Sequence, residues 1–256
     1  GGAGVLNTPA GVTAGTAVVS TSGVSTLGGG TTNGAVTIAV GTTNAHALTV
    51  DQAILTTPTS GAGGTVILES SGAITLTAGN SGTITTTGGG ANAGGEVFIH
   101  HTSAGAADIT LGKAITAKGG SGGNGAVVTV LNDSGNILVN HTIDVSLGVA
   151  GTTDGTIQLQ ASGSITDNAT GKLVGDTNGK LLAKTTATSG AANISLLGNG
   201  TNAATTNNAM ASAVFATATT GNGSVKYYDS TDLTIGTVGG AGVLNTPAGV
   251  TAGTAV

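Results

Sequence analysis

The chain has 256 residues, of which 48 are Gly, 47 Thr and 18 Ser; 7% are charged, 2% are aromatic, and the formal net charge is −5. With six Lys, no Arg and no Cys, it lacks an electrostatic footprint for nucleic acid and has no means of making a disulfide frame or a thiolate zinc site. The scarcity of aromatics argues against the girdles of a membrane barrel, and no apolar run approaches the roughly 18 residues of a membrane helix.

No stretch reads as a signal or transit peptide. Aliphatic residues at alternating positions argue against disorder, which goes with charge and few aliphatics. Gly has no three-residue period, so the chain is not collagen-like. What is left is a β architecture with small side chains and many turns.

Gly1 to Val18 read GGAGVLNTPAGVTAGTAV, and Gly239 to Val256 repeat the same string. The reading is one long tandem repeat over residues 1–238, with residues 239–256 starting the next. A shorter rhythm lies inside it. Gly34 opens an alternating run with Val36 and Ile38, Gly64 with Val66 and Leu68, and Gly95 with Val97 and Ile99. Gly125 precedes Val128 and Val130, and Gly155 precedes Ile157 and Leu159. These openings are evenly spaced, with a period of about 30 residues. The phase then slips, with the next openings at Ala192 and Gly223.

Each unit carries two further apolar runs. In chain order they are Leu48/Val50 and Ile54, Ile74/Leu76 and Ile84, Ile109/Leu111 and Ile115, and Ile137/Val139 and Ile143/Val145. Alternation by two predicts strands with one buried face. The SG, NG, GG and DG pairs between them supply turns. Three short strands per unit of about 30 residues predict an all-β right-handed parallel β-helix, a β-solenoid in which each unit is one coil stacked on the next. Eight coils fill the long repeat, and seven with longer loops fit nearly as well; eight advance ~38 Å at the strand spacing. A β-sandwich with hairpins is the rival fold, but it has no reason for so regular a period. Asn202 to Thr219 alternates weakly around Val214 and Phe215, and reads as a loose coil or extended loop, with a short helix as the alternative.

Three stretches carry a resemblance: GGTVILESSGAITLTAG (Gly63 to Gly79), GTIQLQASGSITDNATGKL (Gly155 to Leu173) and SVKYYDSTDLTIGTVGG (Ser224 to Gly240). They resemble the filamentous-haemagglutinin-type surface proteins of bacteria, giant repetitive adhesins secreted by one partner of a two-protein system. The resemblance is one of composition and rhythm. It implies a right-handed β-helix, an extracellular or cell-surface location, and a role in adhesion or in building a fibre.

Candidate sites are sparse. Asp51, Glu69, Glu96, Asp108, Asp133, Asp144, Asp154, Asp167, Asp176, Asp229 and Asp232 are spread along the chain, mostly beside turns. They show no repeated close pair of the kind a glycosidase or lyase needs. Gly119 to Gly125 (GGSGGNG) has the glycines of a calcium-binding solenoid repeat without its Asp. Asp176, Asn178 and Gly179 copy only part of an EF-hand loop. Asp133 and Asp154 also sit at Gly turns, where Asx side chains brace the backbone.

His100 and His101 are adjacent on a strand and face opposite ways, and with His46 and His141 they form no ladder. Sequons at Asn132, Asn140, Asn168, Asn193, Asn199 and Asn222 occur at the frequency chance provides. The pairs Thr75/Thr77, Thr83/Thr85 and Thr85/Thr87 follow from the strand propensity of Thr and do not recur in every unit, as an ice-binding rank requires.

The expectation is therefore a structural repeat of an extracellular filament or shaft. It is not an enzyme, has no catalytic, cofactor or metal residues, and has no required cofactor, with Ca2+ unsupported. Its partners are neighbouring repeats along the axis, lateral bundles of itself, and a cell-surface or carbohydrate receptor, with no nucleic acid and no membrane span. An adhesin stalk with its binding tip elsewhere and a polysaccharide-degrading β-helix enzyme are the alternatives.

Overall fold

The computed structural model describes residues 34–41, 45–79, 81–103, 105–188, 190–198, 208–217 and 223–235, together with the backbone of three strands nearer the N-terminus. The first turn comprises β1 (Gly4–Asn7), β2 (Ala17–Val19) and β3 (Val24–Ser25). The second is β4 (Val36–Val40), β5 (Leu48–Val50) and β6 (Ile54–Leu55). The third is β7 (Val66–Ser70), β8 (Ile74–Leu76) and β9 (Ile84–Thr85). The fourth is β10 (Val97–His101), β11 (Ile109–Leu111) and β12 (Ile115–Thr116). The fifth is β13 (Val127–Asn132), β14 (Ile137–Val139) and β15 (Thr142–Asp144). The sixth is β16 (Thr156–Ala161), β17 (Ile165–Asp167) and β18 (Lys172–Val174). Beyond it come β19 (Lys180–Thr185), β20 (Ile194–Leu196), β21 (Ser212–Ala216), β22 (Val225–Tyr227) and β23 (Thr234–Ile235).

Equivalent strands of successive turns pair in three sheets. Sheet A holds β1, β4, β7, β10, β13, β16, β19, β21 and β23 in that order; sheet B runs from β2 to β22 and sheet C from β3 to β18. Every strand pairing among the described residues is parallel. The architecture is a β-solenoid of about six turns with about 30 residues per turn. Parallel pairing between consecutive turns removes the sandwich, which needs hairpins.

The core follows from the alternation. On sheet A, Val66, Val97 and Val128 stack in one inward column, and Leu68, Ile99 and Val130 in the next. On sheet B the inward column runs through Ile74, Ile109, Ile137 and Ile165; on sheet C it runs through Ile84, Ile115 and Ile143. All these side chains have 0–1% exposure. Each contributes ~1.5–3 kcal/mol on burial, and only because the turns above and below cover it.

Two expectations are corrected. The openings at Ala192 and Gly223 precede β20 and β22, which belong to sheet B, so they do not continue the series that began at Gly34. Sheet A continues instead through β19, where Ile157 pairs with Leu181 after a shortened turn. β19 escapes the alternation rule because Leu181, Leu182 and Ala183 are consecutive and all buried. The segment Asn202 to Thr219 contains no helix among its described residues, 208–217. Asn208 and Ala209 make isolated bridges that carry sheet C onward, and Ser212–Ala216 is a strand of sheet A. Three full strands per unit therefore hold for the first six turns, after which sheet C narrows to single bridges.

Replacing any of Val97, Ile99, Ile109, Ile137 or Ile157 by Asp should cost about 4 kcal/mol or more, because an unpaired charge enters an apolar column. Thr110→Ser, in an outward column, should stay within about 0.5 kcal/mol. Thermal melts of the two classes compared side by side test the assigned faces.

Candidate functional site

Chemistry-bearing side chains in this chain act mostly on the backbone of the neighbouring turn. The clearest case is a polar ladder on the position just before the sheet B strands from β11 to β22. Asp108 Oδ1 accepts from Asn136 N at 2.9 Å and Asn136 Nδ2 at 3.0 Å. Asn136 Oδ1 accepts from Ser164 N at 2.8 Å, and Ser164 Oγ from Asn193 N at 3.0 Å. Asn193 Oδ1 takes Ser224 N at 2.8 Å and Ser224 Oγ at 2.9 Å. Each side chain thus caps the backbone of the turn after it. The rungs recur once per turn at nearly constant spacing, so the signal is present in the sequence. Asp, Asn and Ser beside glycine are also ordinary turn residues, which hides it.

A second construction is a ridge of loops between sheets C and A. Each loop neck is closed by one backbone bond: Gly64 N to Thr56 O at 3.1 Å, Gly95 N to Thr86 O at 2.7 Å, Ala126 N to Ala117 O at 2.9 Å and Gly155 N to Val145 O at 2.7 Å. The loops then bond to one another, as from Gly120 N to Asn92 O and from Gly148 N to Gly123 O, both at 2.9 Å. A Cβ on Gly148 would lie 1.4 Å from Gly120 O, and one on Gly123 1.7 Å from Asn92 O. Gly119 to Gly125 is therefore glycine-rich because backbone meets backbone there. Asn124 Oδ1 accepts from Thr152 N and Thr153 N, both at 3.1 Å, in the same ridge.

The remaining acids and histidines fall into place around these. Asp154, 7% exposed, accepts from Leu147 N and Asn178 N at 2.7 Å each, so Asp154 and Asn178 brace two turns. Asp176 is exposed and has a φ of 35°. Among the described residues no group of three His, Asp or Glu has the arrangement to hold a metal ion. His100 faces outward, with Nε2 3.0 Å from Asp133 Oδ2 and Nδ1 3.7 Å from Glu69 Oε1. Glu69 and His100 are register partners on sheet A, and no local sequence pattern points to that cluster.

His101 faces inward, as the alternation predicts, fully buried, with Nδ1 3.1 Å from Asn132 Oδ1. Asn132 Nδ2 holds the carbonyls of Ala107 and Asn136 at 2.9 Å, which makes this sequon a buried bracket. His141 has its pKa lowered by burial first and then by Lys113 and Lys172. His46 packs beside Gly41. Thr75 and Thr110 share an outward column of sheet B with Thr49 and Thr166, interrupted by Leu138. Strands of three residues present one such column. Asn199 and Asn222 lie outside the described residues.

Asp167 departs from its column. Its register partner is the buried Val139, yet its carboxylate accepts from Leu197 N at 2.9 Å and Gly198 N at 2.6 Å. Burial raises its pKa above the ordinary 3.8, only partly offset by those backbone donors. Tyr227 donates to Asp229 Oδ2 at 2.6 Å, and burial followed by that acceptor pushes its pKa upward.

No helix of the described residues is long and apolar enough to cross a membrane. The chain matches no family model, no curated protein and no solved structure.

Asn136→Ala leaves Ser164 N without its acceptor and should cost about 1 kcal/mol. Asn136→Asp places a charge beside Asp108 and should cost more than Ala does. Chemical denaturation of the pair distinguishes a ladder from idle surface groups. For Asp167, a raised folded-state pKa means that the protonated form favours the fold, and that contribution is lost as pH rises through the folded pKa. Asp167→Asn removes the titration, so its melting temperature should gain on the unmodified chain as pH rises from below the ordinary 3.8 to above it.

Proposed function

We propose that this chain is a structural repeat of an extracellular filament or surface-protein shaft, built by end-to-end stacking of β-solenoid turns. The observation that carries the reading is the restart of the sequence at Gly239 in a chain whose strands pair turn upon turn along one axis. A solenoid of this kind has sheet edges at its ends, which invite pairing unless covered. A following copy of the same repeat is the covering the sequence supplies.

The work of such a chain is mechanical. Inter-turn hydrogen bonds along the axis resist extension and bending, and repetition sets the span. The side-chain ladders support this, since they join turn to turn. The filamentous-haemagglutinin resemblance supports placing the shaft outside a bacterial cell, with adhesion carried by the same fibre or by a tip beyond this stretch. The partners in this reading are the neighbouring repeats and, laterally, other shafts.

Chains with one, two and four copies of the long repeat should appear in negative-stain electron microscopy as rods. Their length should grow by ~38 Å per copy. Separate globules joined like beads would defeat the reading.

A further inference from the structure

The last strands of sheets A and B show where a following copy must enter. In the column of sheet A that runs through Val36, seven register steps carry the chain from Gly4 to Ala213. The shortest of those steps is from Ile157 to Leu181; the longest are from Gly4 to Val36 and from Leu181 to Ala213. The residue that repeats Gly4 in the next copy is Gly242, and a step from Ala213 to Gly242 is as long as that from Val128 to Ile157. In the column of sheet B that runs through Leu48, seven steps lead from Ala17 to Val225. The residue that repeats Ala17 is Ala255. A step from Val225 to Ala255 falls in length between those from Ile165 to Ile194 and from Ile194 to Val225. Two independent columns therefore meet the next copy after one ordinary turn each.

One element stands in the way. β23 pairs with the edge of β21, Ser212 with Thr234 and Ala213 with Ile235. That step is shorter than any other in sheet A, and it pairs two residues where β1 pairs four with β4. Between Ile235 and Gly242 lie only six residues, too few to circle the solenoid. Ile235 and Val225 are 47% and 43% exposed at positions whose column neighbours Ala213 and Ile194 are buried.

We propose that the edges of β21 and β22 facing away from β19 and β20 are the docking surface for the next copy of this repeat. It enters with Gly242 opposite Ala213 and Ala255 opposite Val225, and Thr234–Ile235 gives up its place in sheet A. Each repeat is then eight turns, with no break in either column across the junction. The inference rests on the tandem-shaft reading and adds to it a register.

The chain has no Cys, so labels can be placed at will. In a chain of two consecutive copies, Ala216→Cys with Asn245→Cys puts nitroxide labels on outward positions of one column, because Asn7 pairs with Ala39 as Lys184 does with Ala216. Neighbours in a column are ~4.8 Å apart, so the double-labelled chain should show strong spin–spin broadening relative to each single label. Ser212→Cys with Thr234→Cys should lose the coupling that β23 pairing confers.

Coupling at 212/234 without coupling at 216/245 overturns the register. A rod of doubled length in microscopy with that result leaves the shaft reading standing; separate globules with that result overturn both. The unlabelled two-copy chain gives a second measure by electron cryo-microscopy. An axial repeat of ~38 Å supports eight turns, and ~43 Å, a ninth rung, refutes them.

Discussion

Parallel, in-register pairing between consecutive turns is the constraint on which this molecule depends. A backbone amide on one turn bonds to a carbonyl on the next, so each turn must pass the same points at the same height. Side chains then fall into columns whether or not they are suited to them. Ile74, Ile109, Ile137 and Ile165 form a stable column because identical shapes stack without voids. Length between the columns is free, which is why the step from Ala213 to Ile235 is so much shorter than that from Leu181 to Ala213 while the column persists.

The same constraint explains the odd composition. Where a loop leaves the barrel and returns, successive loops stack at backbone distance and only Gly fits, as at Gly148 against Gly120. Where polar groups do occur on the axis they are arranged to alternate donor and acceptor, as in Asp108, Asn136, Ser164, Asn193 and Ser224. Asn208 does this inside the core, accepting from Leu173 N and donating to the carbonyls of Leu196 and Tyr228, each at 2.9 Å. It stands in for the sheet C strand that narrows there.

Much of this is legible in the order of residues. The runs at Val36, Val66, Val97, Val128 and Ile157 announce the sheet A strands, because a half-buried strand must alternate. β19 is not legible: Leu182 on its outer face is 4% exposed, and an apolar residue on both faces erases the period. The polar ladder and the Glu69–His100–Asp133 group are hidden for another reason. Their members lie a whole turn apart along the chain, and Asp, Asn and Ser beside Gly are explained equally well by turns until the register is known.

By itself, the sequence determined the strand rhythm, the turn length and the restart at Gly239, because these depend on local alternation, on glycine and on identity. Tertiary structure alone decided which strand lies against which, and hence that Ala192 and Gly223 open sheet B strands, that the partner of His101 is Asn132, and that Asp154 is buried under Asn178. Register is a property of two turns at once: a shift of one residue reverses every side chain, and no single stretch of chain carries that information.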